Sequence, residues 1–311
     1  MSVSSRPSGG PVLIVGSVAL DSVRTPFGER AEALGGSASY ASVSASFFSA
    51  VRMVAVVGED FPEQHVAEFG RREIDVSGLQ RAPGKTFRWG GYYEYDMNQA
   101  HTTATELNVF RDFRPELGEE HRRSPYVFLA NIDPALQLSV LDQMRRPKLV
   151  ACDTMNYWIE NAREKVLEVL ARCDIALMND AEARQLSGEV NLIAAARAVL
   201  NCGPGVVIVK RGEYGAVMLT RESYFAAPGY PLEEVRDPTG AGDTFAGGLL
   251  GYLARGGGAD DAAIRRGIVC GTVMASYTVE DFSLGRLLRL EQQEIAERYH
   301  EIAAMTRFGG F

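Results

Sequence analysis

Residues that could build a disulfide framework or a zinc site are few in this sequence and lie far apart. Among 311 residues there is no C-x-x-C pair and no H-E-x-x-H spacing. The cysteines and histidines are Cys152, Cys173, Cys202, Cys270, His65, His101, His121 and His300. This dispersal argues against disulfide and zinc patterns and favours reduced thiols.

Long apolar runs are missing as well. No run approaches the roughly 20 residues that a membrane span requires, and the polar start MSVSSRPSGG lacks the apolar core of a signal peptide. We therefore expect a cytoplasmic protein with no membrane partner and with residues 1–10 disordered. A net charge of −8 also argues against nucleic acid as a partner, because phosphate backbones require clustered Lys and Arg.

Two common nucleotide-binding signatures are absent. The sequence has no G-x-x-x-x-G-K-[ST] loop, and Gly16 stands alone where a G-x-G-x-x-G would follow the first strand. A P-loop nucleotidase or a nicotinamide-dependent oxidoreductase is therefore disfavoured. No Pro- or Ser-rich linker, repeat or low-complexity tract divides the chain, so we expect a single domain over residues 11–311.

Short apolar runs of strand length alternate with helical patterns along most of the chain. The predicted strands are 12–15, 53–57, 126–130, 149–152, 175–178 and 206–209, and the predicted helices include 37–49, 61–72, 162–172 and 192–200. This alternation predicts an α/β fold, a doubly wound and mostly parallel sheet with helices on both faces. The last third predicts an antiparallel edge at 215–219 and 224–227, followed by helices at 241–255, 260–278 and 291–306.

One aromatic segment, residues 84–109, departs from this alternation. Its aromatic residues recur with period two and are Phe87, Trp89, Tyr93 and Tyr95. This period predicts a strand with one aromatic face, folded back as a hairpin. Together with residues 22–34 it would form a small sheet outside the main one, serving as a plain hairpin, a lid or a dimer face.

Polar side chains follow most of the predicted strands. They are Asp21, Asn131, Asp133, Asp153, Asn156, Asn179, Glu182 and Lys210. Ligands of open parallel sheets bind at the carboxyl ends of the strands. The convergence of these groups on one edge therefore indicates a site for a polar ligand.

The strongest local signal is residues 237–243, DPTGAGD, which lead into a predicted helix. Glycines allow a tight turn, and free amide groups at a helix N-terminus suit an anion such as a transferring phosphoryl group. Asp243 could accept a proton from an attacking hydroxyl. The helix terminus should favour its ionised form and make it a weak base. Spacing alone favours a simple helix cap for Asp243 over a catalytic role.

Asn179 and Glu182 lie three residues apart at the start of a predicted helix. Their oxygens could hold Mg²⁺ through its water shell. The structural alternative is a capping box, with Asn179 as the cap and Glu182 at the third helical position. Spacing alone favours the capping box.

Taken together, these motifs resemble the PfkB (ribokinase-like) carbohydrate kinases over nearly the whole chain. The DPTGAGDTF segment at 237–245 is similar to the family signature and is the most specific of them. Gly35-Gly36 before a helix resembles the N-terminal di-glycine, Asn179-x-x-Glu182 the N-x-x-E motif, and Lys210-x-Gly212-x-x-Gly215 the nucleotide-side K-x-G-x-x-G.

The resemblance implies a ribokinase-like fold with a small β lid, and ATP and Mg²⁺ as cofactors. It implies Asp243 as the base and the amides of Gly240, Ala241 and Gly242 as an anion hole. It further implies Asn179, Lys210, Gly212, Gly215 and Thr239 on the nucleotide side, and Glu182 with Asn179 near Mg²⁺. Substrate contacts would come from Asp21, Gly35, Gly36, Tyr40 and Asn131. Many members also bind a monovalent cation such as K⁺, to which the sequence assigns no ligands.

One departure concerns the substrate. Family members often carry Asn four residues after the second glycine, where this chain has Tyr40. That change puts ribose itself in doubt, and the ring could stack on a substrate or fill the core.

We therefore expect a kinase that phosphorylates a hydroxyl of a small sugar-like molecule. The alternatives are a nucleoside kinase on the same fold, with the aromatic lid stacking on a base, and a ligand-binding protein without catalysis. A homodimer through the lid would also agree with the resemblance.

Overall fold

The computed structural model describes residues 9–307 and residue 309. The strands are β1 (Val12–Val15), β2 (Ala19–Thr25), β3 (Gly28–Gly35), β4 (Val51–Gly58), β5 (Ile74–Ala82), β6 (Phe87–Tyr93), β7 (Ala100–Glu106), β8 (Tyr126–Leu129), β9 (Leu149–Asp153), β10 (Ile175–Asn179), β11 (Val206–Lys210), β12 (Ala216–Leu219) and β13 (Tyr224–Ala227). The helices are α1 (Ser37–Ser46), α2 (Glu63–Arg71), α3 (Glu119–Arg122), α4 (Pro134–Gln143), α5 (Asn156–Asn161), α6 (Arg163–Leu170), α7 (Asp180–Ser187), α8 (Leu192–Leu200), α9 (Ala241–Gly256), α10 (Asp261–Thr278), α11 (Gly285–Arg289) and α12 (Gln292–Met305). Most of the segment predicted to be disordered, residues 1–8, lies outside the described residues.

Nine strands form the main sheet in the order β13-β12-β11-β10-β9-β8-β1-β4-β5. The pairs from β11 to β5 are parallel, and β12 and β13 add the antiparallel edge. From β1 the chain builds outward first through β4 and β5 and then, on the other side, through β8 to β11. A crevice at the carboxyl ends is expected where this order reverses, between β1 and β8. The predicted doubly wound sheet is confirmed.

Alternate residues of the central strands pack into two separate apolar cores, one on each face of the sheet. Ile14 and Phe128 pack on one face with α1, α9 and α10. Leu13 and Leu129 pack on the other face with α4, α6 and α8. Helices thus cover both faces, which explains why the central strands are apolar at every position.

Strand β5 did not emerge from the sequence patterns. It pairs only with β4, as the last strand of the sheet. Its residues are mostly half-buried or exposed, so that it lacks the continuous apolar run of the inner strands.

A second sheet of four strands, β3-β2-β6-β7, forms the predicted β lid. Strand β6 runs parallel to β2 and antiparallel to β7. In this register Trp89 lies opposite Asp21 and Gly91 opposite Val23. The aromatic face of β6 is therefore on the same side of the lid as Asp21.

Within the described residues, the structure contains no helix that is both long enough and apolar enough to cross a membrane.

Candidate active site

The glycine-rich turn leads directly into helix α9. Gly240 is the N-cap residue, with φ of 75°, a conformation that favours glycine. A Cβ at Gly240 would lie 2.4 Å from ring atoms of Tyr40, so that only glycine fits over this ring. Thr244 makes the first helical bond, to the carbonyl of Gly240. The N–H groups of Gly242 and Asp243 precede it and have no intrahelical acceptor.

Not every predicted anion-hole amide is free for a ligand. The Ala241 N–H donates to the carbonyl of Pro238 at 3.2 Å, closing the turn. The anion-binding capacity of the turn therefore centres on Gly242 and Asp243.

Asp243 is not the N-cap residue of α9, because Gly240 takes that position and Asp243 lies within the first turn. The pKa of its carboxyl group is raised to about 7, chiefly by desolvation on burial and then by the nearby Asp153, against an opposing effect of Lys210. The expectation of a weak base was therefore wrong, since burial outweighs the effect of the helix terminus. A base with a pKa near 7 suits proton transfer at neutral pH.

A buried ion pair lies beside this turn. Lys210 Nζ is 2.5 Å from Asp153 Oδ2, and the two side chains are 16% and 5% exposed. Burial lowers the pKa of Lys210, but Asp153 and Glu182 more than offset it. A Cβ at Gly242 would lie 3.0 Å from Lys210 Nζ, so the ammonium group lies against the first turn of α9.

Asn179 and Glu182 form the capping box that spacing favoured. The Asn179 N–H donates to Glu182 Oε2 at 2.7 Å, and the Glu182 N–H donates to Asn179 Oδ1 at 2.8 Å. The carboxyl group of Glu182 is also buried, and desolvation raises its pKa to about 7 together with the nearby Asp153. Glu182 thus joins the electrostatic environment of Asp153, Lys210 and Asp243 while it caps α7.

Asp21 provides a second buried carboxyl group, at the lid side of the site. Desolvation raises its pKa to about 7, although it accepts a hydrogen bond from the Gly36 backbone. Its Oδ1 atom is buried without a hydrogen-bond partner. A Cβ at Gly35 would lie 1.9 Å from Asp21 Oδ2, which explains the first glycine of the pair. The free oxygen can accept a hydroxyl group of a ligand.

The lid reaches the glycine-rich turn through Tyr93. The Thr239 hydroxyl donates to the Tyr93 hydroxyl at 3.3 Å, and burial raises the pKa of Tyr93 to about 12. The Thr239 N–H donates to Asp237, which is buried and also accepts from the Ser283 N–H. The side chain of Thr239 therefore faces the lid.

Tyr40 fills space beneath this turn, with 2% exposure. Its ring is part of the main core. Burial, and after it the charges of Asp237 and Asp21, raise the pKa of its hydroxyl group. Of the two alternatives, stacking on a substrate or filling the core, the structure thus shows the ring packed in the core.

The remaining predicted residues lie farther along the edge of the sheet. Asn131 accepts a hydrogen bond from Trp158 Nε1 at 3.1 Å and donates to Met155 Sδ. Gly212 begins a 3-10 turn after β11. Asn98, at the tip of the β6–β7 hairpin, approaches this turn, and a Cβ at Gly212 would lie 3.1 Å from its Oδ1. Gly215 ends the turn with φ of 81°.

Sequence reasoning missed two groups of this site. Asp153 was seen only as a polar residue at a strand end, and Tyr93 only as an aromatic ring of the lid. Asp153 carries one local signal, since it is the carboxylate that ends an otherwise apolar strand. Its partner Lys210 lies 57 positions away, so no local pattern could reveal the pair.

The buried Asp21 predicts a gain in stability when its charge is removed. Its folded pKa of about 7 exceeds the unfolded value of about 3.9. The unfolded state therefore binds fewer protons between these values, and stability falls as pH rises through them. Each pKa unit is worth about 1.4 kcal/mol. We expect Asp21→Asn to raise the Tm of the ligand-free protein by several degrees at pH 8, with a smaller gain at pH 4.

Thermal melts at both pH values test this expectation. Asp142, whose side chain is 68% exposed and pairs with Arg172, provides the control, because Asp142→Asn should leave the Tm nearly unchanged. A Tm at pH 8 equal to or below that of the wild type would contradict a strained, ionisable Asp21.

Known proteins are similar to this chain in sequence and in fold. Residues 21–283 match the pfkB family carbohydrate kinase. The chain is 30% identical over 251 residues to the cytidine kinase of Thermococcus kodakarensis, covering 79% of this chain and 89% of that protein. It is also 30% identical over 260 residues to the 2-dehydro-3-deoxygluconokinase of Dickeya dadantii, covering 72% and 80%. The Methanocaldococcus jannaschii nucleoside kinase structure shares the fold, with a TM-score of 0.76 and 21% identity over 94% of this chain and 100% of that chain.

Proposed function

Because the chain belongs to the pfkB family of carbohydrate kinases, we propose that this kinase transfers the terminal phosphoryl group of ATP to a hydroxyl group of a sugar or sugar-like molecule, with Asp243 as the base. The observation that carries the proposal is the proximity of two buried carboxyl groups, Asp243 in the first turn of α9 and Asp21 in the lid strand β2. Asp243 has a pKa near 7 at the first turn of α9. Desolvation by burial, and less strongly the charge of Asp243, raise the pKa of Asp21, and Oδ1 of Asp21 has no hydrogen-bond partner.

The roles of these groups follow from their chemistry. Asp21 accepts a hydrogen bond from one hydroxyl of the substrate and orients the ring. Asp243 takes the proton of the hydroxyl that attacks phosphorus, while the bond between phosphorus and the ADP oxygen breaks. The amides of Gly242 and Asp243, with Gly240 and Ala241 shaping the turn, stabilise the negative charge on the transferring group.

Predicted nucleotide contacts belong to the same proposal. Asn179 and Lys210 are the last residues of β10 and β11. Gly212 and Gly215 lie just after β11, and Thr239 belongs to the turn that precedes α9. The lid tip at Asn98 adds a further polar group beside Gly212.

Magnesium fits the donor set near Glu182. The capping box uses Glu182 Oε2 and Asn179 Oδ1, which leaves the second carboxylate oxygen of Glu182. In the described part of the chain, no group of three or more acidic, His or Cys side chains could hold a metal directly. Glu182 and Asn179 would therefore hold Mg²⁺ through its water shell, as this ion prefers. When bound, the ion neutralises phosphate charge. A monovalent cation has no assigned ligands and no part in the proposal.

A nucleoside is the second candidate substrate. The match to a cytidine kinase over 89% of its length supports it. Trp89 supports it too, because it lies opposite Asp21 in the lid and its ring covers Gly91. Phe87 instead stacks on Phe110 at 5.2 Å, and Tyr95 is 88% exposed. Of the lid aromatics, Trp89 and Tyr93 are therefore the ones we propose to contact a substrate.

A panel of sugars, sugar acids and nucleosides, assayed for ATP consumption and by ³¹P NMR of the product, tests both candidates. We expect turnover with one class. If that class is nucleosides, Trp89→Ala should raise the KM about tenfold through lost stacking on the base. Tyr95→Ala, on an exposed ring, is the matched control. Ligand binding without any ATP turnover would instead support a protein that binds but does not catalyse.

Domain organisation, location and oligomeric state also belong to the proposal. Residues 11–311 would act as one kinase domain with lid segments at about 22–34 and 84–109. A cytoplasmic location and a homodimer through the lid stay predictions. Light scattering at several protein concentrations tests whether the protein forms the homodimer.

A further inference from the structure

The ion pair between Lys210 and Asp153 has no role in the steps described so far. Buried ion pairs are weak evidence for stability, since desolvation offsets most of the attraction. A pair that joins two strand ends beside a helix N-terminus therefore calls for a functional explanation.

The geometry of the pair is constrained by the sheet. Lys210 ends β11 and Asp153 ends β9, with β10 between them. Asn179 pairs with Lys210, and Leu177 pairs with Asp153. Since Leu177 and Asn179 are two residues apart, all four side chains are on one face of the sheet. The lysine and aspartate side chains thus meet over β10 and together bridge two strand spacings, roughly 10 Å in total.

Asp153 is itself held firmly in place. The Thr154 N–H donates to its Oδ1 at 2.9 Å, so that Oδ2 is left for the lysine. Gln137 Nε2 donates to the carbonyl of Asp153 at 3.0 Å and to that of Ala130 at 2.9 Å. These bonds fix the ends of β8 and β9 relative to each other. The acceptor of the pair is therefore preorganised.

The lysine ammonium is placed where phosphoryl charge would develop. It lies 3.0 Å from the position of a Cβ on Gly242, beside the amides of the first turn of α9. A cation at this point adds to the helix N-terminus as a ligand for an anion.

We propose that Asp153 is a positioning residue, which holds the ammonium group of Lys210 against the first turn of α9 so that Lys210 contacts the phosphoryl group during its transfer. This inference rests on the proposed kinase function. It changes the predicted role of Lys210 from a nucleotide contact to a catalytic residue that stabilises the transferring group.

The two roles differ in what they predict for nucleotide binding. A contact with the transferring phosphoryl group affects ligands that contain this group and spares ADP. A general nucleotide contact weakens both kinds of ligand to the same extent.

Asp153→Asn and Asp153→Glu test the proposal in the full-length protein. Asn removes the charge, and Glu keeps it while displacing the ammonium group by about one methylene. We expect each to lower kcat by about tenfold to a hundredfold, the scale of a misplaced catalytic group. The KM of the acceptor substrate should stay within about twofold, since the pair does not contact Asp21. By calorimetry, the Kd of AMP-PNP should rise while that of ADP stays unchanged.

A double-mutant cycle with Lys210→Met shows whether Asp153 acts through the lysine. Lys210→Met should lower kcat about 10²-fold, as for one lost anion-hole donor. Adding Asp153→Asn to it should lower kcat no further. Asp174→Asn is the matched control, because Asp174 bonds the N–H of Val150 at the other end of β9.

The outcomes separate this inference from the proposed function. Wild-type protein that phosphorylates no compound of the panel refutes the function itself. An active wild type with unchanged kcat in Asp153→Glu overturns the inference alone, as does an equal loss of ADP and AMP-PNP affinity. Asp153→Asn leaves a buried ammonium unpaired and could unfold the protein. Asp153→Glu, which retains both charges, then decides the question.

Discussion

Replacing Asp243 with asparagine should lower kcat by about 10²-fold or more, the usual scale of general base catalysis. Asparagine has nearly the same shape but cannot accept the proton of the attacking hydroxyl. The fold should be retained, because Asp243 is not the N-cap residue of α9 and its carboxylate is costly to bury. Steady-state kinetics with the substrate identified by the panel, and a thermal melt, measure both effects.

A carboxylate in the first turn of another helix provides the control. Asp261 lies in the first turn of α10, exposed and paired with Arg265. We expect Asp261→Asn to leave kcat unchanged. Near-normal turnover in Asp243→Asn would remove Asp243 from the mechanism.

The pH dependence of the wild type follows from the same residue. As a base, Asp243 must be ionised in the free enzyme, and its pKa is raised to about 7. The value of kcat/KM should therefore increase with pH up to about 7 and level off above it. A rise of kcat/KM centred at about pH 4, the ordinary pKa of a carboxyl group, would show that burial does not control the pKa of Asp243.

Gly242→Ala should lower kcat by about 10²-fold without loss of stability. The new methyl group would lie 3.0 Å from Lys210 Nζ, in the space beside the first-turn amides. It would keep the phosphoryl group away from those amides and displace the ammonium group, and a misplacement of about 1 Å can cost this much. The fold should tolerate it, because the contacted atom ends a flexible side chain and alanine favours helix by about 1 kcal/mol.

The same helix supplies the matched control. Gly256 lies in the last turn of α9, and a Cβ there meets no atom within 4 Å. Gly256→Ala should leave kcat unchanged and raise the Tm slightly. Unchanged kinetics in Gly242→Ala would contradict an anion-binding role for the turn.

The inner strands could be predicted because burial on both faces leaves a continuous apolar run in the sequence. Five of the six predicted inner strands, those starting at residues 12, 126, 149, 175 and 206, begin at the same residue in the structure. Phe87, Trp89 and Tyr93 could be predicted as one face for a related reason, since period two is a local property. The prediction was wrong for Tyr95, which lies beyond the end of β6 and is 88% exposed. Strand β5 could not, because as an outer strand it needs no such run.

The motif at 179–182 shows where local patterns stop being informative. Its spacing allowed both a capping box and a magnesium site. The structure contains the capping box and also buries Glu182 near Asp153 and Lys210. The cap is a contact within four residues, whereas the burial arises from strands far away in the chain.

By itself, the sequence determined the layered α/β architecture, the lid hairpin and the glycine-rich turn with its aspartate, because each depends on residues that are neighbours in the chain. Only the tertiary structure decided that Asp243 and Asp21 have pKa values near 7 and that Asp153 pairs with Lys210. These properties arise from desolvation and from charges brought together across several strands. Solvent exclusion and distance are set by packing, which no local pattern of residues encodes.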